Sequence, residues 1–168
     1  MLLPHDWLNY RLTGELAMEA GDASGTALFD PATRRFDARA CYALNPGLEA
    51  KLPRLVPADR PMGSVSEAAA RELGLPAGIP VAPGGGDNMC AAIGSGATRA
   101  GVATLSLGTS ATVFAYSRTV VLDPAGLIAP FCDSTGGYLL LLCVMNATGV
   151  LHEVARAFPG ETLESLTA

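Results

Sequence analysis

Three consecutive glycines, Gly84 to Gly86, are followed by Asp87 and Asn88, and apolar residues flank this polar segment on both sides. Glycine adopts positive φ at little steric cost, so the segment predicts a sharp turn between a buried strand and a helix. Asp and Asn are favoured at helix starts, and Gly94 and Gly96 are placed to end the helix. The stretch therefore predicts a strand over 79–83, a turn and a short helix.

A second polar turn, Gly108-Thr109-Ser110, joins two β-like runs at 102–107 and 111–116. Such a pattern predicts a β-hairpin. The turn offers adjacent amide donors and two hydroxyls, which suit phosphate oxygens. From the residues alone two simpler interpretations stay open: Asp87 only caps a helix, and the Gly-Thr-Ser segment is only a tight turn.

Taken together and in this order, the two turns resemble the middle of carbohydrate kinases of the FGGY family. The segments Leu-Pro-His-Asp-Trp-Leu (3–8) and Asp-Ala-Ser-Gly-Thr (22–26) are most similar to the xylulokinase branch of that family. Nearly the whole chain is covered by the resemblance. However, the family's first phosphate loop, Asp-x-Gly-Thr/Ser, and its adenosine-binding glycines have no counterpart here, so we expect this chain alone to be inactive.

The resemblance implies an α/β chain with a ribonuclease H-like (actin-like ATPase) fold, containing the end of one domain and the start of the next. The small, flexible segment 95–101 is interpreted as the boundary. Residues 1–96 are then assigned to the N-terminal, sugar-binding domain and residues 97–168 to the C-terminal, ATP-binding domain. Pattern alone indicates only α/β or α+β.

The resemblance also implies the chemistry, which is transfer of the γ-phosphate of ATP, with Mg²⁺, to a ketose hydroxyl. D-xylulose would give D-xylulose 5-phosphate. Asp87 matches the family's catalytic aspartate, and Asp87 and Asn88 are assigned to binding of the sugar. No residue is assigned to a metal. The residues assigned to the ATP phosphates are Gly108, Thr109, Ser110 and Asn146.

Three alternatives stay open. The chain is part of another FGGY kinase, acting on glycerol, ribulose or gluconate; it is an actin-like nucleotide-binding domain without sugar kinase activity; or it is a degenerate chain that folds without a function. The Gly-Gly-Gly-Asp-Asn element favours a sugar kinase, because it places a carboxylate where an acceptor hydroxyl would lie.

Composition restricts the remaining possibilities. The net charge of −5 argues against a nucleic-acid surface. With Lys51 as the single lysine, a Gly-rich P-loop ending in Lys-Ser or Lys-Thr is excluded.

The four cysteines lack metal-ligand spacing and are interpreted as reduced thiols, and the N-terminus lacks the features of a targeting signal. The apolar run 138–145 is too short to span a bilayer. We therefore expect a cytoplasmic protein that binds a small sugar and ATP, and we leave a homodimer of the complete enzyme open.

Three other segments of the sequence carry patterns that predict helices. Leu3, Trp7, Leu8 and Leu12 recur at helical spacing before Thr13-Gly14. Asp37 and Ser66 are placed to cap helices through Leu44 and Leu73. Between 117 and 137 the sequence predicts a long Pro- and Gly-bearing connection.

Six further residues receive structural interpretations. Asp22 is expected to close a turn on its own backbone, as are Ser24 and Thr26. His5 and His152 are interpreted as lone histidines, and Cys90 as a helix-packing residue.

Overall fold

The computed structural model describes residues 1–167 of the chain, which form a mixed α/β structure. The helices are α1 (Pro4–Thr13), α2 (Ala20–Ala23), α3 (Ala38–Leu44), α4 (Glu67–Leu73), α5 (Asp87–Ser95), α6 (Thr148–Ala157) and α7 (Leu163–Thr167). The strands are β1 (Ala17–Glu19), β2 (Phe29–Asp30), β3 (Arg35–Phe36), β4 (Arg54–Val56), β5 (Gly63–Ser64), β6 (Pro80–Val81), β7 (Ala103–Leu107), β8 (Ala111–Ser117), β9 (Ile128–Cys132) and β10 (Tyr138–Val144).

An antiparallel sheet with the strand order β7-β8-β10-β9 is the largest in the described chain. Side chains alternate between the two faces of a strand, and one face of this sheet buries Phe114, Leu139 and Leu141. These side chains pack against Met89 and Ala92 of α5. The sheet and α5 therefore form one apolar cluster, which fixes the helix that begins at the glycine turn.

The predicted hairpin is confirmed, since β7 and β8 are antiparallel and pair as far as Leu107 and Ala111. The long connection predicted between 117 and 137 is wrong in part, because it contains β9. Pro130 lies within β9 and pairs with Leu140 of β10. Proline cannot donate a ladder hydrogen bond, and here it occupies an edge strand of the sheet, where one side of the strand needs no such bond.

The predicted helix ends are confirmed. Gly86 is the N-cap of α5. Of the two glycines predicted to end that helix, Gly96 does so in the left-handed region with φ of 77°, whereas Gly94 lies inside the helix. The Asp37 carboxylate accepts hydrogen bonds from the first amides of α3. The Ser66 hydroxyl accepts one from the amide of Ala69 in α4. Side chains in these positions satisfy amides that have no partner within a helix.

The apolar face predicted for α1 is wrong in part. Trp7 and Leu8 are exposed, whereas Asp6 and Asn9 are buried. Of the predicted face, Leu12 packs beside α4 and Leu3 packs against the cluster around Met18. The reason is that both buried polar side chains have backbone partners. Asp6 accepts a hydrogen bond from the Leu3 amide, and Asn9 donates one to the carbonyl of residue 83.

Three two-stranded sheets complete the described architecture. The strands β1 and β4 are parallel, while β2 pairs antiparallel with β3 and β5 pairs antiparallel with β6. The strand predicted over 79–83 is shortened to β6. β6 leads to Pro83, which lies directly before the glycine turn.

Apolar clusters cross the predicted domain boundary. The cluster around α5 contains residues from both sides of 96–97, and a second cluster joins Met18, Ala23 and Phe29 to Cys132. The division at 96–97 stays a prediction. Within residues 1–167, no helix has the length and apolar content needed to cross a bilayer.

Candidate functional site

Asp87 is the first residue of α5 and is exposed. Its Oδ1 accepts hydrogen bonds from the backbone amide of Asn88 at 2.7 Å and from the Asn88 side-chain amide at 3.1 Å. These bonds orient one carboxylate oxygen. The second oxygen, Oδ2, forms no hydrogen bond within the described residues, and it is available to a ligand.

Each glycine of the turn meets a different side chain, so each excludes a Cβ. A Cβ on Gly84 would lie 3.0 Å from the His5 ring, and Gly84 also has φ of +80°. A Cβ on Gly85 would lie 2.9 Å from the Ser134 hydroxyl, and one on Gly86 would lie 2.8 Å from Asp22 Oδ1. Close approach therefore disfavours a side chain at all three positions, and at Gly84 the positive φ disfavours it as well.

The second turn packs on the start of α6. The carbonyl of Gly108 accepts hydrogen bonds from the amide and the hydroxyl of Thr148, at 3.1 and 2.5 Å. The carbonyl of Thr109 accepts one from the amide of Ala147 at 2.8 Å. Because the first amides of this helix are already paired with the turn, they are not free for an anion in this conformation.

Thr109 and Asn146 line one open depression of about 550 Å³. The Gly108 amide donates to the Ser110 carbonyl within the turn, at 2.8 Å. The Thr109 hydroxyl has no hydrogen bond among the described residues, and Thr109 is exposed. A ligand at this turn would therefore meet the Thr109 hydroxyl and the Asn146 side chain.

Two hydrogen bonds attach α5 to the hairpin. Near its start, the Thr112 hydroxyl donates to Asn88 Oδ1 at 3.4 Å. At its end, the hydroxyls of Ser95 and Thr104 lie 2.7 Å apart. The structure thus brings the sequence-predicted Asn88 beside the strand that follows Gly108–Ser110.

The interpretation of His5 as a lone histidine is wrong. Its Nδ1 lies 3.1 Å from Asp22 Oδ2 and its Nε2 lies 3.3 Å from Asp6 Oδ1. A hydrogen bond with Asp22, followed by the charges of Asp6, Asp22 and Glu19, raises the pKa of His5 despite its partial burial. Sequence analysis missed this pairing because Asp22 is distant in the chain; the adjacency of His5 and Asp6 was its only local signal.

Two buried carboxyls lie close to this histidine. Burial raises the pKa of Asp6, against the opposing charge of His5. Burial also raises the pKa of Glu19, although Glu19 accepts backbone hydrogen bonds from Asp22 and Gly21, each at 2.6 Å. The cluster is therefore a desolvated group of acids around one imidazole.

The structure confirms the interpretations of Ser24 and Thr26 and corrects those of Asp22 and Cys90. Ser24 and Thr26 bond to carbonyls of their own turns, as predicted. Asp22 instead faces His5. Cys90 is exposed and its thiol lies 3.7 Å from the Gly85 carbonyl, so the helix-packing interpretation is wrong. His152 is exposed on α6.

Metal ligands do not cluster in the described chain. Residues 1–167 contain no group of three or more His, Cys, Asp or Glu side chains arranged to hold a metal ion.

Residues 1–94 match the N-terminal domain of the FGGY family of carbohydrate kinases, which is more than half of the chain. The chain belongs to this family. The xylulose kinase of Haemophilus influenzae is 44% identical to the FGGY chain over 150 residues, covering 88% of this chain and 30% of the relative.

Solved structures agree with this membership. The xylulose kinase from Bifidobacterium adolescentis superposes with a TM-score of 0.80 at 30% identity, covering 98% of the FGGY chain and 37% of its own. The gluconate kinase from Lactobacillus acidophilus, at 22% identity and a TM-score of 0.81, covers 96% and 33% and shows the fold alone. The predicted actin-like, ribonuclease H-like α/β fold is confirmed. The FGGY chain spans about a third of the length of these relatives.

Proposed function

We propose that the chain is part of an ATP-dependent sugar kinase that transfers the γ-phosphate of ATP to a hydroxyl of D-xylulose. One observation carries the proposal: an exposed carboxylate, Asp87, is held at the start of α5, and the next residue is bonded to the strand that follows the Gly108–Ser110 turn. A base and a phosphate-facing turn then share one rigid support. Family membership supports the reaction class.

Asp87 would orient the acceptor hydroxyl and accept its proton. Phosphoryl transfer has a loose transition state, so positioning and charge neutralisation contribute more than a strong base. The carboxylate suits that role because Asn88 fixes Oδ1 with two hydrogen bonds and leaves Oδ2 free of them among the described residues. Asn88 is the further candidate for contact with the sugar.

The Gly108–Ser110 turn and Asn146 would face the ATP phosphates. Thr109 supplies a hydroxyl and Asn146 a side-chain amide to the same depression. Hydroxyl and amide donors bind phosphate oxygens without a lysine, which fits a chain whose single lysine is Lys51. Mg²⁺, which neutralises charge on ATP, would be held by the phosphates with few protein ligands.

D-xylulose is proposed as the sugar because relatives named xylulose kinases match most of the chain at up to 44% identity. Glycerol, ribulose and gluconate are the alternative sugars within the family. The division into sugar-binding residues 1–96 and ATP-binding residues 97–168, a homodimer of the complete enzyme and a cytoplasmic location remain predictions.

A chimera tests the function. This chain would replace the matching segment of the Haemophilus influenzae xylulose kinase, with which it shares 44% identity. Phosphorylation of D-xylulose, ribulose, glycerol and gluconate would be measured with ATP and Mg²⁺, with the parent enzyme as reference. We expect D-xylulose to be preferred.

Two results would overturn the proposal. Preference for gluconate or glycerol would reject the sugar assignment. A folded chimera that hydrolyses ATP without phosphorylating any of the sugars would support the actin-like nucleotide-binding alternative instead.

A further inference from the structure

An imidazole ring lies between two carboxylates under the glycine turn. Neutral imidazole has one N–H, so it can donate from one nitrogen only, whereas imidazolium donates from both. His5 faces carboxylate oxygens with both nitrogens, at 3.1 Å to Asp22 and 3.3 Å to Asp6. This arrangement favours the charged form of His5.

The Asp6 contact needs that charge. Asp6 is fully buried, and its Oδ1 has no hydrogen-bond partner, nor does His5 Nε2. The 3.3 Å contact between them is therefore an ion pair without hydrogen-bond geometry. An ionised buried carboxylate is costly unless an opposite charge compensates it. His5 is the cation placed to do so.

The same side chains touch the backbone that leads to Asp87. A Cβ at Gly84 would lie 3.0 Å from the His5 ring, and a Cβ at Gly86 would lie 2.8 Å from Asp22 Oδ1. Beside them, Asn9 donates a 2.6 Å hydrogen bond to the carbonyl of Pro83. Asn9 therefore holds residue 83 by a hydrogen bond, and the side chains of His5 and Asp22 pack closely against residues 84 and 86.

We propose that His5, as an imidazolium held between Asp6 and Asp22, is a positioning residue that fixes the Gly84–Gly86 turn and so aims the Asp87 carboxylate. The proposal rests on the proposed function for the role of Asp87. His5 acts through the turn and is not placed on the reacting atoms.

A pH dependence follows from the charged groups around His5. Asp6 faces it from α1, Asp22 from α2 and Glu19 from β1, and these acids together with the Asp22 hydrogen bond raise its pKa above 6.5. A group with a raised folded-state pKa is fully charged below its unfolded value, and it loses its charge as the pH rises through the folded value. The turn should therefore be held at pH values below the raised His5 pKa and loosened above it.

Nuclear magnetic resonance on the 168-residue chain tests the coupling without any kinase assay. The His5 ring and the amides of Gly84, Gly85 and Gly86 would be followed from pH 5 to 10. We expect the three amides to shift with the His5 midpoint, above 6.5. His5→Gln should abolish that shared transition, whereas His152→Gln, a change at an exposed histidine on α6, should leave it intact.

Amides that titrate independently of His5, or a transition that persists in His5→Gln, would overturn the proposal. If His5→Gln does not fold, the wild-type titration and His5→Lys decide the question. Lysine keeps a positive charge to about pH 10, so the transition should move to higher pH in that variant. A His5→Lys chain with an unmoved transition would also overturn it.

Kinetics of the chimera give the second readout. A displacement of about 1 Å costs up to ~100-fold in rate, so His5→Gln should lower kcat by about 10- to 100-fold at pH 7 with the KM for ATP unchanged. His5→Lys should restore kcat and extend activity to higher pH. Equal pH profiles for wild type, Gln and Lys variants would reject the positioning role. Failure of the proposed catalytic role of Asp87 would show instead as full activity of the chimera without Asp87, and it would leave the amide titration unaffected.

Discussion

Thr112 donates a hydrogen bond from its hydroxyl to the side-chain oxygen of Asn88, 3.4 Å away. Asn88 in turn donates two hydrogen bonds to Asp87. The carboxylate is therefore connected through one side chain to the first residues of β8. A displacement of Thr112 is therefore expected to reach Asp87 through Asn88.

Asp87→Asn in the chimera should lower kcat by about 10²- to 10⁴-fold, the usual contribution of a general base. The free energy of unfolding should change little, since Asp87 is exposed and Gly86, not Asp87, is the N-cap of α5. Steady-state kinetics and urea unfolding measure the two effects. Glu67→Gln is the matched control, because it removes a carboxylate from the first position of α4. Near-normal turnover of Asp87→Asn would leave Asp87 with a structural role only.

Thr109→Val in the chimera should raise the KM for ATP about 10-fold or more, because a hydrogen bond to a charged group contributes about 1.5–3 kcal/mol. The KM for the sugar should not change. The methyl of Thr109 faces Gly149, and valine preserves that contact. Thr119→Val, at an exposed turn after β8, is the control. Unaltered ATP kinetics with a lower stability would assign the Gly108–Ser110 turn a purely structural role.

Gly137→Ala should destabilise the 168-residue chain by about 1–3 kcal/mol, the usual cost of overpacking. A Cβ there would collide with the Tyr116 ring and lie 2.9 Å from the Ser117 carbonyl oxygen. Gly94→Ala is the opposite case, since nothing lies within 4 Å of its Cβ position in α5. It should stabilise the chain by about 0.5–1 kcal/mol. Urea unfolding of both variants measures the difference; equal effects would contradict the packing described around Tyr116.

Acid should destabilise the chain partly through Asp123. Its carboxylate accepts hydrogen bonds from the amides of Ala125, Leu127 and Ile128, which hold its pKa below 3.8. A lowered folded-state pKa contributes stability above the unfolded value, and that stability is lost as the pH falls through the folded value. Unfolding free energies at pH 6 and pH 2.5 should therefore differ less in Asp123→Asn than in wild type. The exposed Asp59→Asn is the control, and an equal pH effect in Asp123→Asn and wild type would reject the prediction.

Local signals in the sequence were sufficient for much of the fold. The helix caps at Asp37 and Ser66 and the hairpin at Gly108–Ser110 depend on neighbouring residues, so they were predictable. Strand β9 was not, because Pro130 argues against a strand unless its edge position is known.

The candidate site, too, could be predicted from the sequence only in part. Asp87 at a helix start was predicted from the glycines before it. The partners of His5 were not, since pairing with Asp22 depends on how α1 and α2 meet. Nor could periodicity reveal that α1 buries Asp6 and Asn9 in place of Trp7, because both side chains are paired with backbone groups, which a pattern of apolar side chains does not report.

The apolar clusters that unite the two sides of 96–97 have a consequence for cleavage of the chain. Arg99 is exposed in the connection before β7. A single tryptic cut there would leave Met89 and Ala92 still packed on Phe114 and Leu139. The two peptides should then co-elute as a noncovalent pair, and when expressed separately they should reassemble by fragment complementation.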